Sequence, residues 1–236
     1  MVNCSRHQIW KMFNNISKQY DFLNHLLSLG MDFSWRKYLS KQINSSDNQR
    51  ILDLCTGTGD QAFSILKNSS INHSITGIDT SAEMINSAID KADKKQCHNQ
   101  IKFIEGDASN IPFKAESFDA VTISFGIRNV ENIEKCMLEV YRILKNNGKF
   151  FILEFSTPKN FIIRSLFLFY LTFILPNIAG LVSGDRKAYI YLSETIKTFP
   201  YGNKFLEYFR DTDFKELKYV PMTFGTVSFY QGVKKH

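Results

Sequence analysis

The sequence predicts an α/β fold, a doubly wound and mostly parallel seven-stranded sheet with helices on both faces. From residue 50 onward, short apolar runs alternate with segments of helical periodicity, which is the rhythm of βαβ units. The apolar runs place parallel strands near 50–54, 74–79, 101–105, 118–124 and 148–155. The helical segments lie near 60–68, 81–94 and 131–145. Two further runs, 217–220 and 225–230, predict a terminal pair of strands.

A glycine-rich turn follows the first strand, in the run Ile-Leu-Asp-Leu-Cys-Thr-Gly-Thr-Gly-Asp at residues 51–60. A strand that leads through such a turn into a helix offers backbone N–H groups to a ligand. Gly57 and Gly59 also permit the backbone to approach that ligand closely. Asp79 closes the next apolar run, about 20 residues later, where a carboxylate can accept both hydroxyls of a ribose. The pattern predicts a site for an adenosine-containing cofactor.

Three features favour S-adenosyl-L-methionine over a dinucleotide as that cofactor, although residues 57–62 also satisfy the loose dinucleotide fingerprint. Asp53 lies just before the turn, where a carboxylate would repel a pyrophosphate but could receive the ammonium group of a methionine moiety. Asp107 follows the third run and is placed to accept from the exocyclic amine of adenine. The fourth run ends in Ser124 and Phe125, small and aromatic residues that suit a sulfonium pocket.

The same residues admit other interpretations. Each of the three aspartates could be a helix N-cap or a turn residue, although their position after consecutive apolar runs favours a ligand site. An NAD-dependent oxidoreductase would share the glycine turn but would leave Asp53 and Asp107 unexplained. An amine methyltransferase would commonly carry Asn/Asp-Pro-Pro-Tyr after the fourth strand. This chain has Ser-Phe-Gly-Ile at 124–127, which favours a carbon or oxygen acceptor. A non-catalytic binding module stays open.

Length and composition predict a single domain, residues 1–236, because a chain of 236 residues that is 44% hydrophobic can bury one substantial core. The net charge of +6 is spread over scattered basic residues. This excludes a nucleic-acid arm and leaves either a solvated surface or attraction to anionic lipid headgroups. Cysteines 4, 55, 97 and 136 lie far apart without a histidine cluster, so reduced thiols and no metal site are expected.

The amino-terminal region is expected to form a helical lid over about residues 1–45. Apolar residues recur at three- and four-residue spacing through residues 5–28, which predicts an amphipathic helix that packs on the main domain. Basic residues interrupt this region and it has no continuous apolar core, so a secretory signal is not expected. The protein is therefore expected in the cytoplasm.

An unusually apolar insertion follows the fifth strand, over about residues 158–200. Its charge-free part, 165–175, would extend only about 16 Å as a helix, half of the roughly 30 Å of a bilayer core, so it is not expected to span a membrane. A helix that is apolar on all faces is either buried in a core or covered by an apolar ligand or lipid. Beside the mouth of the expected site, the insertion predicts a lipophilic substrate and a peripheral position at the inner face of the membrane.

These residues together resemble the ubiquinone/menaquinone biosynthesis C-methyltransferases of the UbiE/MenG type. The likeness covers nearly the whole chain, and its most specific part is Ser-Phe-Gly-Ile-Arg-Asn-Val at 124–130. It also includes residues 20–24, 52–60, 153–156, 189–192, 195–196, 199–200 and 222–225. The family's Lys-Pro-Gly-Gly turn is replaced by Lys-Asn-Asn-Gly at 145–148, and its Ala-Gly-Phe by Thr-Asp-Phe at 212–214. Both departures lie away from the expected chemistry.

The resemblance implies a Rossmann-like S-adenosylmethionine methyltransferase fold, with methyl-donor contacts at Thr58, Asp79, Asp107, Ala108 and Ser124. It implies transfer of the methyl group to a ring carbon of a polyprenylated quinol, with S-adenosylhomocysteine as the product. Demethylmenaquinol is favoured as the substrate, while 2-polyprenyl-6-methoxy-1,4-benzoquinol or another small lipophilic acceptor stays open. The implied partners are the quinol and a membrane surface rather than nucleic acid, and a homodimer is left open.

The expected catalytic residues are Arg128, Asn129 and Tyr20. A ring carbon becomes nucleophilic when the adjacent hydroxyl loses its proton, and a phenol with a pKa of about 10 needs a site that favours the anion. Arg128 is expected to act as an electrostatic clamp on the developing phenolate, and Asn129 and Tyr20 to orient the other ring oxygen. The alternatives are a surface or helix-capping role for Arg128 and a core position for Tyr20. The general base is not identified.

Overall fold

A seven-stranded sheet forms the centre of the part of the chain that the structure describes. The structure is a computed structural model and describes residues 21, 25–26, 28–43, 48–183 and 186–235. The strands are β1 Arg50–Leu54, β2 Ser74–Asp79, β3 Ile101–Glu105, β4 Phe118–Ser124, β5 Leu144–Phe155, β6 Lys215–Met222 and β7 Val227–Val233. Their order is β3-β2-β1-β4-β5-β7-β6, and all neighbours are parallel except β7, which is antiparallel to both β5 and β6. The predicted doubly wound, mostly parallel sheet is confirmed.

Helices cover both faces of this sheet. In chain order they are α1 Met31–Gln42, α2 Asp60–Asn68, α3 Ala82–Lys94, α4 Ile133–Ile143, α5 Phe161–Phe169, α6 Leu175–Ser183, α7 Arg186–Thr198 and α8 Asn203–Asp211. A short 3-10 helix, Ile127–Asn129, follows β4, and a π-helical turn, Tyr170–Ile174, joins α5 to α6. The predicted helix of residues 5–28, which includes Tyr20, lies largely outside the described residues.

Local capping chemistry sets where several helices begin. The Ser81 hydroxyl accepts the Met84 backbone N–H at 3.2 Å at the start of α3, and the Asn132 side chain accepts the Lys135 N–H at 2.7 Å at the start of α4. Such caps satisfy backbone donors that have no partner inside the helix. The α2 helix begins instead at Gly59, whose left-handed φ of 86° turns the chain sharply out of β1.

The core consists of two apolar layers, one on each face of the sheet. On one face, α8 buries Phe205 and Phe209 completely against the strands. On the other face, α1, α2 and α3 bury Leu39, Ile65 and Ala88. A fully buried side chain of the size of leucine or phenylalanine contributes roughly 1.5–3 kcal/mol. Because both faces are covered, the carboxyl ends of the strands are the part of the sheet left open to a ligand.

The fifth strand corrects one expectation about the turn at residues 145–148. Asn147 has a left-handed backbone, with φ of 62°, but it does not lie between a helix and the strand. The α4 helix already ends at Ile143, and β5 begins at Leu144. The left-handed residue instead forms an irregularity inside β5, where the register with β4 shifts between Phe118 and Ala120. The fifth strand is therefore four residues longer than the run 148–155.

The apolar insertion corrects the expectation about its length. The helix is continuous from Phe161 to Ser183, and its part Phe161–Leu181, 21 residues, could cross a membrane by length and mean hydropathy. The helix is longer than the charge-free part 165–175 because neither Arg164 nor Pro176 ends it. Arg164 lies in the first turn of α5, and Pro176 is the second residue of α6, after the π-helical turn, where a missing N–H is tolerated. Only 17% of its most apolar stretch is buried in the described structure.

Candidate active site

Two cavities meet at the carboxyl ends of β1 and β4. The first, here called the polar cavity, has a volume of about 440 Å³ and is lined by the glycine turn and by residues that follow β2, β3 and β4. The second, the apolar cavity, has a volume of about 230 Å³ and lies between α1, the π-helical turn and α7. The residues common to both form a shared wall: Arg36, Phe125, Arg128, Asn129 and Tyr191. A ligand in one cavity therefore lies next to a ligand in the other.

The polar cavity opens because β1 and β4 end in left-handed backbone. Cys55, directly after β1, has φ of 52°, and Phe125, directly after β4, has φ of 61°. Such conformations are strained for residues with a Cβ and concentrate at functional sites. Gly126 must remain a glycine because a Cβ added there would lie 2.4 Å from the Cβ of Cys55. The two neighbouring strands thus diverge at the point where the strand order reverses, which is where doubly wound folds bind ligands.

Asp53 lies in the wall of the polar cavity at the end of β1, and 1% of its surface is exposed. Its two carboxylate oxygens accept the hydroxyls of Thr56 and Thr122, each at 2.6 Å. Burial raises the pKa of Asp53 to about 6, against the two hydroxyl hydrogen bonds and the charge of Arg36, which lower it. Each carboxylate oxygen keeps one lone pair, so Asp53 can still accept a hydrogen bond from an ammonium group, as predicted.

Asp79 holds the glycine turn in place from the end of β2. Its Oδ2 accepts the backbone N–H of Gly57 at 2.9 Å, and its Oδ1 accepts the N–H of Ser81 at 3.0 Å. Burial raises the pKa of Asp79, and the backbone hydrogen bonds oppose that rise. Asp79 lines the polar cavity together with Gly106, Asp107 and Ala108. Asp107 accepts the backbone N–H of Ser109 at 2.8 Å.

Thr58 and Ser124 are also in the polar cavity, and each is hydrogen-bonded to a residue that sequence reasoning missed. The Thr58 hydroxyl donates to Asp21, which also forms an ion pair with Lys91. The Ser124 hydroxyl donates to Gln61 Oε1 at 3.0 Å. Gln61 is buried in the first turn of α2. A glutamine directly after a glycine turn was a signal for a polar role.

Arg128 lies in the shared wall, and its side chain is 4% exposed. Its Nη1 donates to Glu154 Oε1 and to the Phe125 carbonyl oxygen, both at 2.6 Å. Within the described residues, its Nε is buried without a hydrogen bond. The surface interpretation of Arg128 is therefore wrong. Sequence reasoning missed Glu154, although a glutamate in an otherwise apolar strand was a signal for a buried charge pair.

Asn129 and Tyr191 complete the shared wall. Asn129 Oδ1 accepts the Tyr191 hydroxyl at 3.3 Å, so its amide nitrogen is the group left to donate. Phe155 lies beside them, with the Arg128 guanidinium 5.5 Å from its ring centroid. Tyr20 lies outside the described residues, and its predicted role stays a prediction.

The donor and acceptor groups of the polar cavity fit S-adenosyl-L-methionine. Carboxylates follow three adjacent strands, the backbone of the glycine turn is within reach, and Ser124 and Phe125 lie at the end of β4. Within the described residues there is no group of three histidine, cysteine or acidic side chains that could hold a metal ion.

Relatives of known sequence support the same conclusion. The ubiE/COQ5 methyltransferase family matches residues 1–234. The chain is 40% identical over 227 residues to the "Ubiquinone/menaquinone biosynthesis C-methyltransferase UbiE" of Geotalea daltonii, which covers 96% of each protein. It is 39% identical over 234 residues to the "Demethylmenaquinone methyltransferase" of Chlorobaculum tepidum, covering 98% of this chain and 93% of the relative.

Several solved structures with the same fold are S-adenosylmethionine-dependent methyltransferases. One from Thermotoga maritima superposes with a TM-score of 0.64 at 19% identity, covering 96% of this chain and 100% of that one. Phosphoethanolamine N-methyltransferase 2 of Haemonchus contortus, in complex with S-adenosyl-L-methionine, gives a TM-score of 0.63 at 16% identity, with coverage of 86% and 53%. These likenesses confirm the Rossmann-like methyltransferase fold. The chain belongs to the ubiE/COQ5 methyltransferase family, and it is a methyltransferase that uses S-adenosyl-L-methionine rather than a nicotinamide oxidoreductase.

Proposed function

We propose that this enzyme methylates a ring carbon of a polyprenylated quinol, with demethylmenaquinol as its substrate. The observation that carries the proposal is the shared wall between the two cavities. The polar cavity suits the methyl donor, and the apolar cavity beside it suits a lipid-tailed ring. The family and its relatives support the same class of acceptor, and the Chlorobaculum tepidum relative carries the name of a demethylmenaquinone methyltransferase.

The apolar cavity has the composition that a prenylated ring requires. Most of its lining residues are aromatic or aliphatic, among them Trp35, Phe155, Phe167, Tyr170, Leu171, Leu175, Leu192 and Ile196. The side chains of Arg36, Arg128 and Asn129 supply polar groups at the shared wall. The other polar residues of the lining are Ser28, Asp32, Thr223 and Thr226. Ligand sites commonly combine a mostly apolar lining with a few polar groups that fix orientation. We propose that the ring lies at the shared wall and the prenyl tail extends under α5 and α6.

Arg128 and Asn129 would favour the phenolate form of the ring. When bound, S-adenosyl-L-methionine supplies an electrophilic methyl group. Among the described residues, the Nε of the buried Arg128 makes no hydrogen bond. Asn129 Oδ1 accepts from Tyr191, so the amide N–H₂ of Asn129 is its group that can donate to the ring. Donors already fixed toward a developing anion need little reorganisation and act strongly in a site that excludes water. Glu154 would hold the Arg128 side chain in position through its 2.6 Å hydrogen bond.

Turnover of defined quinols tests the proposed function. Purified protein is incubated with labelled S-adenosyl-L-methionine and either reduced demethylmenaquinone or reduced 2-polyprenyl-6-methoxy-1,4-benzoquinone. We expect label in the naphthoquinol product and little in the oxidised quinones, because the oxidised ring has no hydroxyl to ionise. Preference for the benzoquinol would contradict the choice of ring. Equal activity on oxidised quinones would remove the phenolate step.

We propose further that the protein is cytoplasmic and that the α5–α6 helix lies flat on the membrane surface. Six large side chains, which we call the apolar ridge, are between 55% and 89% exposed: Phe161, Ile162, Leu166, Phe169, Phe173 and Leu181. The opposite face of the helix buries Leu171, Leu175 and Ala179 in a cluster with α7. If the helix crossed the membrane instead, its buried face would lose its packing against α7. Residues 157–183 contain Lys159 and Arg164 and no acidic residue, which suits anionic headgroups.

Vesicle binding tests this orientation. The variant L166S/F169S/F173S should reduce co-sedimentation with phosphatidylglycerol vesicles, because it removes apolar side chains from the ridge. The matched control is L138S, a leucine that is 60% exposed on α4. Equal vesicle binding by both variants would contradict the proposal. The single-domain organisation and the homodimer also stay proposals, and analytical ultracentrifugation without lipid measures the second.

A further inference from the structure

Within the part of the chain that the structure describes, Arg36 is a buried cation without a hydrogen-bonded anion. It lies on α1, is 9% exposed and lines both cavities. Its guanidinium lies over the ring of Phe125, with 5.2 Å from Cζ to the centroid. The one ion pair it makes within the described residues is with Asp32, at 3.9 Å between Nε and Oδ2. That distance is too long for a hydrogen bond, and Nε is buried without a hydrogen bond there.

Arg128 shows how unusual this is. Both arginines lie in the shared wall and over phenylalanine rings. Arg128 donates to Glu154 at 2.6 Å, whereas no described residue supplies Arg36 with an equivalent hydrogen-bonded carboxylate. Buried charges are normally paired and hydrogen-bonded because their transfer out of water is costly. An unsatisfied guanidinium at the edge of a ligand cavity indicates that the ligand supplies the missing oxygen atoms.

We propose that Arg36 binds the carboxylate of the methionine portion of S-adenosyl-L-methionine. The proposal rests on that cofactor occupying the polar cavity. A guanidinium and a carboxylate have matching planar geometry, which permits two parallel hydrogen bonds. The carboxylate and the ammonium group of the cofactor share one carbon atom, so a cation and an anion of the protein must lie close together to receive them. Arg36 and Asp53 both line the polar cavity.

The packing of α1 against α2, the helix that begins at the glycine turn, supports the methionine side of the polar cavity as the position of this carboxylate. One turn after Arg36, Ser40 accepts Gln61 Nε2 at 3.1 Å and lies 3.0 Å from Ser64, both on α2. The α2 helix begins at the glycine turn, and its N-terminal end also favours a carboxylate. Electrostatics agree with this position. Burial raises the pKa of Asp60, but the charges of Arg36 and Lys91 outweigh it, so the pKa is lowered.

Binding of two cofactor analogues tests the proposal without any turnover. The full-length protein, R36Q and R36K are titrated calorimetrically with S-adenosylhomocysteine and with its analogue that lacks only the carboxylate. R36Q should bind S-adenosylhomocysteine about 20- to 100-fold more weakly and bind the decarboxylated analogue within about threefold of the wild-type affinity. R36K should be intermediate, because an ammonium keeps the charge and loses the paired geometry.

The matched control is K37Q, which removes the same charge from the adjacent, exposed residue and should leave both affinities unchanged. Equal losses for the two analogues in R36Q would show a structural role and overturn the proposal. Unchanged affinity for both would place Arg36 with the acceptor substrate and also overturn it. If R36Q does not fold, the wild type alone still tests the proposal. Equal affinity of the wild type for the two analogues would contradict it, because the carboxylate would then contribute nothing to binding. Failure of the wild type to bind S-adenosylhomocysteine would instead contradict the cofactor itself.

Discussion

The cleft between β1 and β4 and the helical insertion after β5 differ in what fixes their shape. The cleft is fixed by backbone: left-handed residues at 55 and 125, a glycine at 126 that admits no Cβ, and a carboxylate bonded to the turn. The insertion is fixed on one side only, by Leu171, Leu175 and Ala179. Its other side exposes large apolar residues. The donor end of this site is therefore specified by local backbone conformation and hydrogen bonds. The acceptor end is specified by a helix that packs on one face and exposes apolar side chains on the other.

The largest expected effect is on the wall between these two regions. Glu154→Ala should lower the free energy of unfolding by about 3–5 kcal/mol, because it leaves the guanidinium of Arg128 buried without its carboxylate. Thermal unfolding of the purified protein measures this loss. The matched control is Glu134→Ala, an exposed glutamate on α4, which should change the stability little.

A double variant sharpens that result. Arg128→Met together with Glu154→Leu replaces both charges by apolar groups, and it should recover most of the stability lost in Glu154→Ala while remaining inactive. If the double variant is as unstable as the single one, packing rather than an unpaired charge is responsible. If it retains turnover, Arg128 has no role in the chemistry.

The second prediction separates binding from stability within the cleft. Asp53→Asn should weaken S-adenosylhomocysteine binding at least about tenfold, because it removes the charge that faces the ammonium group. It should also stabilise the unliganded protein by up to about 2–3 kcal/mol at pH 7.5, since burial raises the pKa of Asp53 to about 6 and its ionisation opposes folding. Calorimetric titration and thermal unfolding measure the two effects. A variant that is both less stable and unchanged in affinity would contradict both.

The pH dependence follows from the same carboxyl group. Because the pKa of Asp53 is raised in the folded protein, its ionisation destabilises the fold fully above about pH 6. This destabilisation disappears as the pH falls toward 4, so the stability advantage of Asp53→Asn over the wild type should shrink over that range. As the pH falls, the stability of the wild type should rise relative to Asp53→Asn, but its affinity for S-adenosylhomocysteine should fall. The wild type should bind S-adenosylhomocysteine about tenfold more weakly at pH 5 than at pH 7.5, as Asp53 takes up a proton. In Asp53→Asn the affinity for S-adenosylhomocysteine should not change between pH 7.5 and pH 5. An equally steep loss of affinity in this variant would show that another group causes the pH dependence.

The smallest expected effect is in the insertion. Phe167 lines the apolar cavity and is partly exposed, so Phe167→Ala should raise KM for a short-tailed quinol about 5- to 10-fold and leave S-adenosylhomocysteine affinity unchanged. Leu166→Ala, on the neighbouring exposed position, should change neither when the assay contains no vesicles. Steady-state kinetics with each substrate varied separates the two constants. An effect on kcat alone would place the ring elsewhere.

The sequence predicted those parts of the fold that depend on residues close together in the chain. Apolar runs, the glycine turn and the acids after adjacent strands predicted the sheet and the polar cavity, because strand ends converge in any doubly wound fold. Contacts between distant segments were not readable. Glu154 lies 26 residues from Arg128 in the chain, and Arg36 reaches the cavity only because α1 packs on α2. The length of the insertion helix was not readable either, since the π-helical turn before Pro176 has no simple sequence signature.

The left-handed turn at Cys55 has a consequence for thiol chemistry. Burial raises the pKa of the Cys55 thiol well above its ordinary value, although the residue lines the polar cavity. Burial also raises the pKa of Cys97, and that of Cys136 to about 12. Alkylating reagents and mild oxidants attack the thiolate, which is scarce at neutral pH at all three described cysteines. A single cysteine engineered onto the apolar ridge would therefore react in preference to these three native thiols and could carry a fluorophore that reports lipid contact.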